Sequence, residues 1–396
     1  MDVDAILAEA TRLDGDDPLA SQRDRFVIPD PDLAYLDGNS LGMTPRTTVH
    51  RIHEVMNDEW ADGLIRSWAH WLDMPLTAGD ELAPLIGAND GEVVVHDSTT
   101  INLHQLLHAA VALRPGSTHI AVDPGEFPTD RYAVAAVAAQ HGLSVRNPSP
   151  GTSLDETDLN GCAAVVRSLV DYRSAAVADL IGFTKHAERA GTLVIWDLSH
   201  AVGAIEVDLP AASVDMAVGC TYKFLNGGPG APGFSFVRAG LVEEVDHPIR
   251  GWFGQDDQFD MDADWRPKPG VGRLMIGTPS ILSLEAARCG IAISAEVGAP
   301  ALASKSRALT TFALDLVDRL GLLSDTDRDP HRRGAHVAVR HPDAEAINTA
   351  LATSHNVVAD YRRPDVVRLG CSPLTTRFVD VARAIVALRL EIDQRA

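Results

Sequence analysis

The stretch from Cys220 to Gly230 reads Cys-Thr-Tyr-Lys-Phe-Leu-Asn-Gly-Gly-Pro-Gly and sets Lys223 between an apolar run and a glycine-rich turn. The chain has four lysines, and the other three (Lys185, Lys268 and Lys305) have surroundings typical of a protein surface. A strand over 214–219 would deliver Lys223 to a loop, where catalytic residues are most often found. A lysine held in this way is the usual nucleophile toward a carbonyl group, but a surface lysine after a strand explains this stretch equally well.

A second stretch, Thr192–His200, reads Thr-Leu-Val-Ile-Trp-Asp-Leu-Ser-His and favours the catalytic interpretation. Its apolar, β-branched run predicts a short buried strand with Asp197 at the carboxyl end. Enzymes that use pyridoxal phosphate need a carboxylate for its pyridine nitrogen and a lysine for its aldehyde. Strand ends at one edge of a sheet would supply both, so Asp197 and Lys223 predict a pyridoxal-phosphate site.

Further stretches carry a resemblance to a known family. Asp-x-x-His at 197–200 and Thr-Tyr-Lys at 221–223 resemble the fold-type I pyridoxal-phosphate enzymes of the aspartate aminotransferase superfamily. Within that superfamily the chain resembles the bacterial type of kynureninase, in family order from residue 35 to 380. The matching stretches are Tyr-Leu-Asp-Gly-Asn-Ser-Leu-Gly at 35–42, Gly-Leu-Ile-Arg-Ser-Trp at 63–68, Phe-Pro-Thr-Asp at 127–130, 220–230, Gly-Trp-Phe-Gly at 251–254 and 373–380.

The alternation of predicted elements agrees with the α/β fold that this resemblance implies. Strands are predicted at 93–96, 119–122, 163–170, 193–196, 214–219 and 233–237, and helices at 101–113, 131–140 and 175–190. Such alternation indicates a mainly parallel sheet covered on both faces. Residues 245–280 predict a long functional loop, and weaker strands follow at 335–339 and 366–370.

The resemblance implies a large domain with a mainly parallel, seven-stranded-type sheet and a smaller α+β domain. We expect an N-terminal segment at 1–45 that packs with the small domain, a large cofactor domain at 46–280 and a small C-terminal domain at 281–396. The implied reaction is hydrolytic cleavage of the Cβ–Cγ bond of L-kynurenine, or 3-hydroxy-L-kynurenine, to anthranilate, or 3-hydroxyanthranilate, and L-alanine. In it Lys223 moves the Cα proton, Asp197 keeps the pyridine ring protonated and Tyr222 is a plausible proton carrier.

Several residues are expected around the cofactor. Thr99 and Thr100 start a predicted helix, where such residues usually cap, but where free N–H groups also bind phosphate. The resemblance assigns cofactor contacts to Thr99, Thr100, Phe127, Asp130, Ser168, Asp197, His200, Tyr222 and Lys223. It implies a homodimer with shared sites, in which Trp252 and Thr278 reach the cofactor phosphate of the other subunit. As structure alone, Asp130 would cap a helix and Trp252 would be a core residue.

A second group is expected to bind an amino-acid substrate. Arg368 closes a predicted strand, where an arginine is more often a plain surface charge, but the resemblance implies that its guanidinium binds the substrate carboxylate. Asn39 and Ser40 would approach the same carboxylate, and Trp68 would line an aryl pocket. Gln255 replaces the family's histidine and Thr375 its tyrosine, which leaves the aryl substrate open.

Composition excludes some partners. Lys and Arg total 34 against 55 for Asp and Glu, a net charge of −21, so neither nucleic acid nor an anionic membrane is an expected partner. The four cysteines are scattered, which favours a reducing compartment, and the acidic N-terminus lacks a signal-peptide pattern. We expect a cytoplasmic protein without a membrane span. None of the usual metal spacings occurs among the 15 histidines.

Two alternatives remain. A cysteine desulfurase or selenocysteine lyase needs a nucleophilic cysteine, for which Cys371 near Arg368 is the candidate. A pyridoxal-phosphate-binding protein without catalysis is the other, although intact Lys223, Asp197 and Arg368 argue against it.

Overall fold

A computed structural model describes residues 2–149, 152–261 and 264–395. Its α-helices are α1 (Val3–Gly15), α2 (Arg46–Glu54), α3 (Trp68–Trp71), α4 (Met74–Leu82), α5 (Thr99–Leu113), α6 (Pro128–Gln140), α7 (Leu180–Arg189), α8 (Ala239–Val242), α9 (Ile281–Val297), α10 (Ala299–Arg319), α11 (Ala344–Ser354) and α12 (Phe378–Asp393). A π-helix, Val55–Gly63, extends α2.

The strands are β1 (Ala34–Tyr35), β2 (Val93–His96), β3 (His119–Val122), β4 (Ser144–Arg146), β5 (Cys162–Ser168), β6 (Leu193–Asp197), β7 (Met216–Cys220), β8 (Gly233–Val237), β9 (Leu323–Ser324), β10 (His336–Arg340), β11 (Val357–Val358), β12 (Asp360–Arg362) and β13 (Val366–Gly370). Seven of them form one large sheet in the order β2-β8-β7-β6-β5-β3-β4. Only β8 runs against the others, which confirms the predicted mainly parallel sheet.

The large sheet is buried because its strands are apolar along their whole length. Every residue of β2, β6, β7 and β8 is buried, which requires cover on both faces. Helices α5 and α6 pack against each other over one face. Helix α7 and the paired helices α4 and α9 contribute to the core on the other. The carboxyl ends of β5, β6 and β7 therefore open at one edge.

One predicted helix is wrong at its start. The pattern at 175–190 predicts a single helix, but α7 begins at Leu180. Ala175 has a left-handed backbone with φ of 68°, and Ala176 forms a bridge with Arg333. This long-range pairing holds the segment extended, so that Asp179 caps the helix by accepting from the Gly182 amide at 2.9 Å.

A second, antiparallel sheet has the order β12-β13-β10-β9. The N-terminal segment contacts this part of the chain: β1 pairs with β11, and α1 packs on α12. One hydrophobic cluster accordingly joins Ile6 and Leu36 to Leu309 and Val381. Helix α9, which follows residue 280, packs on α2 and on α4, and α4 in turn packs on β2 of the large sheet. The boundaries at 45 and 280 stay predictions.

The sequence neighbours of Lys305 predict a surface residue, and this prediction is wrong. Its side chain is buried between α1 and α12, where its ammonium is paired with Asp17 and lies 4.1 Å from the centre of the Phe378 ring. Asp14 adds a second tie, because its carboxylate accepts from the Phe378 amide at 2.6 Å. The start of the chain is thus fastened to α10 by an ion pair and to α12 by a hydrogen bond.

No helix among the described residues is long and apolar enough to cross a membrane. In the same ranges, no three His, Cys, Asp or Glu side chains are grouped so that they could hold a metal ion.

Candidate active site

The strand ends converge on one cavity of about 160 Å³, which we call the lysine cavity. Its wall is formed by Ser98, Thr99, Thr100, Phe127, Thr129, Asp130, Ser168, Tyr172, Asp197, Ser199, His200, Tyr222, Lys223 and Ala231. All nine residues expected around the cofactor within one chain are in this wall. They come from the ends of β5, β6 and β7 and the starts of α5 and α6, the edge where ligands bind in such sheets.

Lys223 is held next to His200. Its Nζ lies 3.3 Å from Nε2 and 3.4 Å from Nδ1 of the imidazole. Burial, and then the Lys223 charge, keep the pKa of His200 well below its usual range, so the ring is neutral at pH 7. A neutral imidazole can accept a hydrogen bond from the lysine without competing for its charge.

The loop that carries Lys223 is fixed from the N-terminal side of the chain. The amide of Gly42 donates to the Tyr222 carbonyl at 2.8 Å. A Cβ at Gly42 would lie 2.4 Å from the Lys223 carbonyl oxygen, so only glycine permits this approach. Gly42 therefore packs directly on the loop that carries Lys223.

Two carboxyls, Asp130 and Asp197, meet in the lysine cavity. Asp197 accepts from the Ser199 amide at 2.7 Å, which fixes its orientation at the end of β6. Burial, followed by the neighbouring Asp197, raises the pKa of Asp130 well above its ordinary value. Oδ2 of Asp130 is buried and has no hydrogen-bond partner among the residues that the structure describes. The two carboxyls are therefore suited to bind a ring that carries a positive charge or an N–H group.

The remaining walls are aromatic or helical. The Phe127 ring lies 6.0 Å from Nζ of Lys223 and packs edge-on against Tyr172, with centroids 5.4 Å apart. Helix α5 starts at Thr99 with Ser98 as its cap, so first-turn amides, which have no partner within a helix, face this wall. The neighbouring Cys220 thiol, followed by burial, raises the pKa of Tyr222, which keeps its phenol protonated at neutral pH.

Arg368 is fully buried beside this cavity, and its guanidinium already makes hydrogen bonds within the protein. Nε donates to Oδ1 of Asp360 at 2.7 Å, and Nη2 donates to the other carboxylate oxygen. Nη1 donates to the carbonyl of Tyr172, which is itself a wall residue of the lysine cavity. Ser40 donates to Asp360 at 2.7 Å and lies 3.4 Å from Nη2 of Arg368.

Strand register places a polar row on one face of the small sheet. Arg368 is opposite Asp360 on one side, and Gly370, two residues on, is opposite His336 on the other, so these side chains share a face. Asn39 packs on that face at Gly370, where an added Cβ would lie 1.7 Å from its Oδ1. Within the described part of the chain, both polar side-chain atoms of Asn39 and both ring nitrogens of His336 are buried without a hydrogen-bond partner.

The other expected residues lie outside the lysine cavity. Trp252 is 40% exposed, and its ring packs against Phe253 with centroids 4.7 Å apart. Thr278 is also exposed and lines a separate cavity. Trp68 packs against Trp71 and Phe253. None of the three is in the wall of the lysine cavity of its own chain.

The two departures from the family pattern are both buried. Gln255 accepts from the Arg266 amide at 2.7 Å and donates to the Asp264 carbonyl at 3.3 Å, so its amide holds its own loop together. The carbonyl of Thr375 accepts from Arg23. Neither residue is in the wall of the lysine cavity.

Sequence reasoning missed three residues that contact the expected ones. Glu126 binds Ser168, Tyr172 connects Phe127 to Arg368, and Asp360 occupies the Arg368 fork. Glu126 directly precedes the Phe-Pro-Thr-Asp stretch, which is the one signal that pointed to it. The partners of the other two are distant in sequence.

Comparison with solved structures defines the class of protein. The apo structure of a cysteine desulfurase from Thermococcus onnurineus NA1 matches with a TM-score of 0.79 at 16% identity, covering 97% of this chain and 98% of that one. A C-DES mutant with glycine covalently linked to its PLP cofactor matches with a TM-score of 0.77 at 16% identity, covering 91% and 99%. The fold is therefore that of the fold-type I pyridoxal-phosphate enzymes.

Sequence comparison then identifies the family. The family model described as the kynureninase C-terminal domain matches residues 302–388. A protein named Kynureninase from Burkholderia pseudomallei (strain 1106a) is 40% identical over 402 residues, which cover 98% of this chain and 96% of that protein. The chain belongs to the kynureninase family.

Proposed function

We propose that this protein is a pyridoxal-phosphate-dependent hydrolase that cleaves the Cβ–Cγ bond of L-kynurenine or 3-hydroxy-L-kynurenine. The products are anthranilate or 3-hydroxyanthranilate, and L-alanine. The observation that carries the proposal is the cavity whose wall contains both Lys223, next to His200, and the Asp130–Asp197 pair, in a chain of the kynureninase family.

The residues present fit the cofactor. The unpartnered Oδ2 of Asp130 and the adjoining Asp197 suit a protonated pyridine nitrogen, and the first-turn amides at Thr99 and Thr100 suit a phosphate. Lys223 would bind the aldehyde, with Phe127 beside the ring. When bound, pyridoxal phosphate supplies an electron sink for the charge that develops at the substrate Cα.

The side chains around that sink then move protons. Nζ of Lys223 takes the Cα proton, and the neutral His200 ring 3.3 Å away orients the amine. Ser168 lies beside Asp197 in the register of β5 and β6 and completes the wall. Tyr222 keeps its proton because its pKa is raised, so its phenol serves as the donor to the substrate Cβ after the aryl acid leaves.

Arg368 is the proposed anchor for the substrate α-carboxylate. Asp360 holds its guanidinium in place through two hydrogen bonds, and the substrate carboxylate would compete for the Nη1 and Nη2 groups that now contact the Tyr172 carbonyl and the Ser40 hydroxyl. The unpartnered amide of Asn39 is buried next to the same strand and would donate to that carboxylate. Trp68 stays the proposed wall of the aryl pocket.

Cysteine desulfurase chemistry is disfavoured by the state of Cys371. The thiol is fully buried and hydrogen-bonded to the Leu369 carbonyl, and burial raises its pKa to about 12. A nucleophilic cysteine must be a thiolate that the substrate can reach, and Cys371 meets neither condition.

We also propose a homodimer in which the partner subunit contributes residues to each lysine cavity. Trp252 and Thr278 are exposed and lie outside the cavity of their own chain, as such a role requires. Three exposed apolar side chains are close in sequence to Trp68, namely Trp60, Leu64 and Ile65. A patch of this kind is typical of an interface. A cytoplasmic location stays a prediction.

Turnover tests the proposal directly. The purified protein, supplied with pyridoxal phosphate and L-kynurenine, should release fluorescent anthranilate and an equal amount of alanine. A parallel assay with 3-hydroxykynurenine determines the preference between the two substrates. Sulfide release from cysteine without anthranilate release would show the desulfurase alternative, and cofactor binding without either product would show a non-catalytic protein.

A further inference from the structure

Glu126 stands between two cavities. Its side chain lines a polar cavity of about 900 Å³ that opens beside the lysine cavity, and Ser168 lines both. The turn before α6 fixes the glutamate, because its amide donates to the Asp123 carbonyl at 3.0 Å and Asp123 also accepts from the Gly125 amide at 2.7 Å. Glu126 is therefore well placed to act on the lysine cavity through Ser168.

The contact between the two residues uses both carboxylate oxygens. Oε1 of Glu126 accepts from the backbone amide of Ser168 at 2.9 Å, and Oε2 accepts from the Ser168 hydroxyl at 2.6 Å. Since the hydroxyl proton is committed to Glu126, Ser168 Oγ can offer only lone pairs toward the lysine cavity. The same strand end is tied to β6, because the Leu169 amide donates to the Asp197 carbonyl at 2.9 Å.

We propose that Glu126 is a positioning residue that clamps the end of β5 and fixes Ser168 as a hydrogen-bond acceptor toward the cofactor. The inference rests on the proposed pyridoxal-phosphate site. Only an ionised carboxylate can do this, since both groups that Ser168 presents to it are donors. A glutamine would have to turn its NH2 group toward either the amide or the hydroxyl.

The groups around Glu126 act in opposite directions on the pKa of its carboxyl. Burial, followed by Asp197 and Asp171, raises its pKa to about 6, while the two bonds from Ser168 oppose that rise. Together with Asp130, these carboxyls form an acidic group on β6, α6 and the loop after β5. The carboxylate at Glu126 would favour positive charge in the neighbouring lysine cavity.

The test compares cofactor binding by Glu126→Gln, Ser168→Ala and the double variant. We expect Glu126→Gln to weaken pyridoxal-phosphate binding about tenfold, as the loss of one charged hydrogen bond predicts. In the Ser168→Ala background the same change should weaken binding less than about twofold, because the hydroxyl that Glu126 orients is gone and only the backbone contact remains. The pH midpoint of the bound cofactor's absorbance should fall in Glu126→Gln, since a negative charge is removed.

Glu92→Gln is the matched control. Glu92 is buried at the far end of the same sheet and accepts from the amides of Asn89 at 2.9 Å and Ala239 at 2.8 Å. The Glu92→Gln variant should have a lower free energy of unfolding, with unchanged cofactor affinity and an unchanged absorbance midpoint. If the wild type binds pyridoxal phosphate but Glu126→Gln binds it equally well, or the two changes are additive, Glu126 is structural only and the inference is wrong. If the wild type does not bind pyridoxal phosphate, the proposed function fails instead.

Discussion

Nε of Arg368 donates to Oδ1 of Asp360 at 2.7 Å, and the hydroxyl of Ser40 donates to the other oxygen of that carboxylate at 2.7 Å. Despite burial, the Arg368 hydrogen bonds hold the pKa of Asp360 below its ordinary value, so the carboxylate is charged. The guanidinium is thus preorganised by a resident anion before any substrate carboxylate arrives.

Replacing Arg368 with Lys keeps the charge but removes the planar fork. We expect the substrate dissociation constant to rise about tenfold to hundredfold, because a charged hydrogen bond contributes about 1.5–3 kcal/mol. Arg340→Lys is the control, since Arg340 makes a similar pair with Asp365 on the exposed part of the same sheet. An unchanged dissociation constant, measured by equilibrium titration, would mean that Arg368 does not bind substrate.

The buried pair of Lys305 and Asp17 should matter for stability far more than its exposed neighbour. Its side chains are 4% and 7% exposed, whereas those of the Arg12–Asp16 pair are 64% and 69% exposed. Asp17→Asn should lower the free energy of unfolding by about 3–5 kcal/mol, because a buried ammonium is left unpaired. Asp16→Asn should cost less than about 1 kcal/mol. Urea unfolding of both variants tests this, and equal losses would contradict the assignment.

His336 should make stability depend on pH. Burial, and then the Arg368 charge, lower its pKa from 6.5 to about 3, so the folded state binds fewer protons than the unfolded chain between these values. Its contribution is therefore complete above pH 6.5 and is lost as the pH falls toward 3, by up to about 1.4 kcal/mol per pH unit. His336→Phe should flatten the pH dependence of the unfolding free energy by up to one proton. An unchanged slope would contradict the burial of a neutral ring.

Shared active sites can be detected in mixed dimers. A Lys223→Ala chain lacks the nucleophile and a Trp252→Ala chain lacks the proposed partner contact, so each homodimer should be impaired. Hybrids contain one cavity with both residues intact and should recover part of the activity. With subunit exchange confirmed by differently tagged chains, no recovery would argue that each site is built from one chain.

The predictable parts of the fold are those set by local patterns. The bounds of Gly233–Val237 and Val366–Gly370 agree with prediction, because each is a buried apolar run. The start of α7 and the burial of Lys305 were missed, since Ala176 pairs with Arg333 and the partner of Lys305 is 288 residues away. No local pattern reports such contacts.

The site follows the same rule. Asp197 and Lys223 could be predicted because strand ends and motifs mark them. Glu126 has its partner Ser168 42 residues further on, and the Asp360 carboxylate carries no motif of its own. Supporting contacts of this kind depend on the packing of separate elements, which only the structure shows.

The central claim is that Lys223 carries the cofactor, and reductive labelling tests it most directly. Borohydride treatment of the protein with bound pyridoxal phosphate should fix the label on one peptide, the one that contains Lys223. Lys305 is buried in an ion pair, while Lys185 is exposed outside the lysine cavity. A stoichiometric label on Lys223, absent in Lys223→Ala, is the predicted result. A label on Lys185, Lys268 or Lys305 would contradict the account.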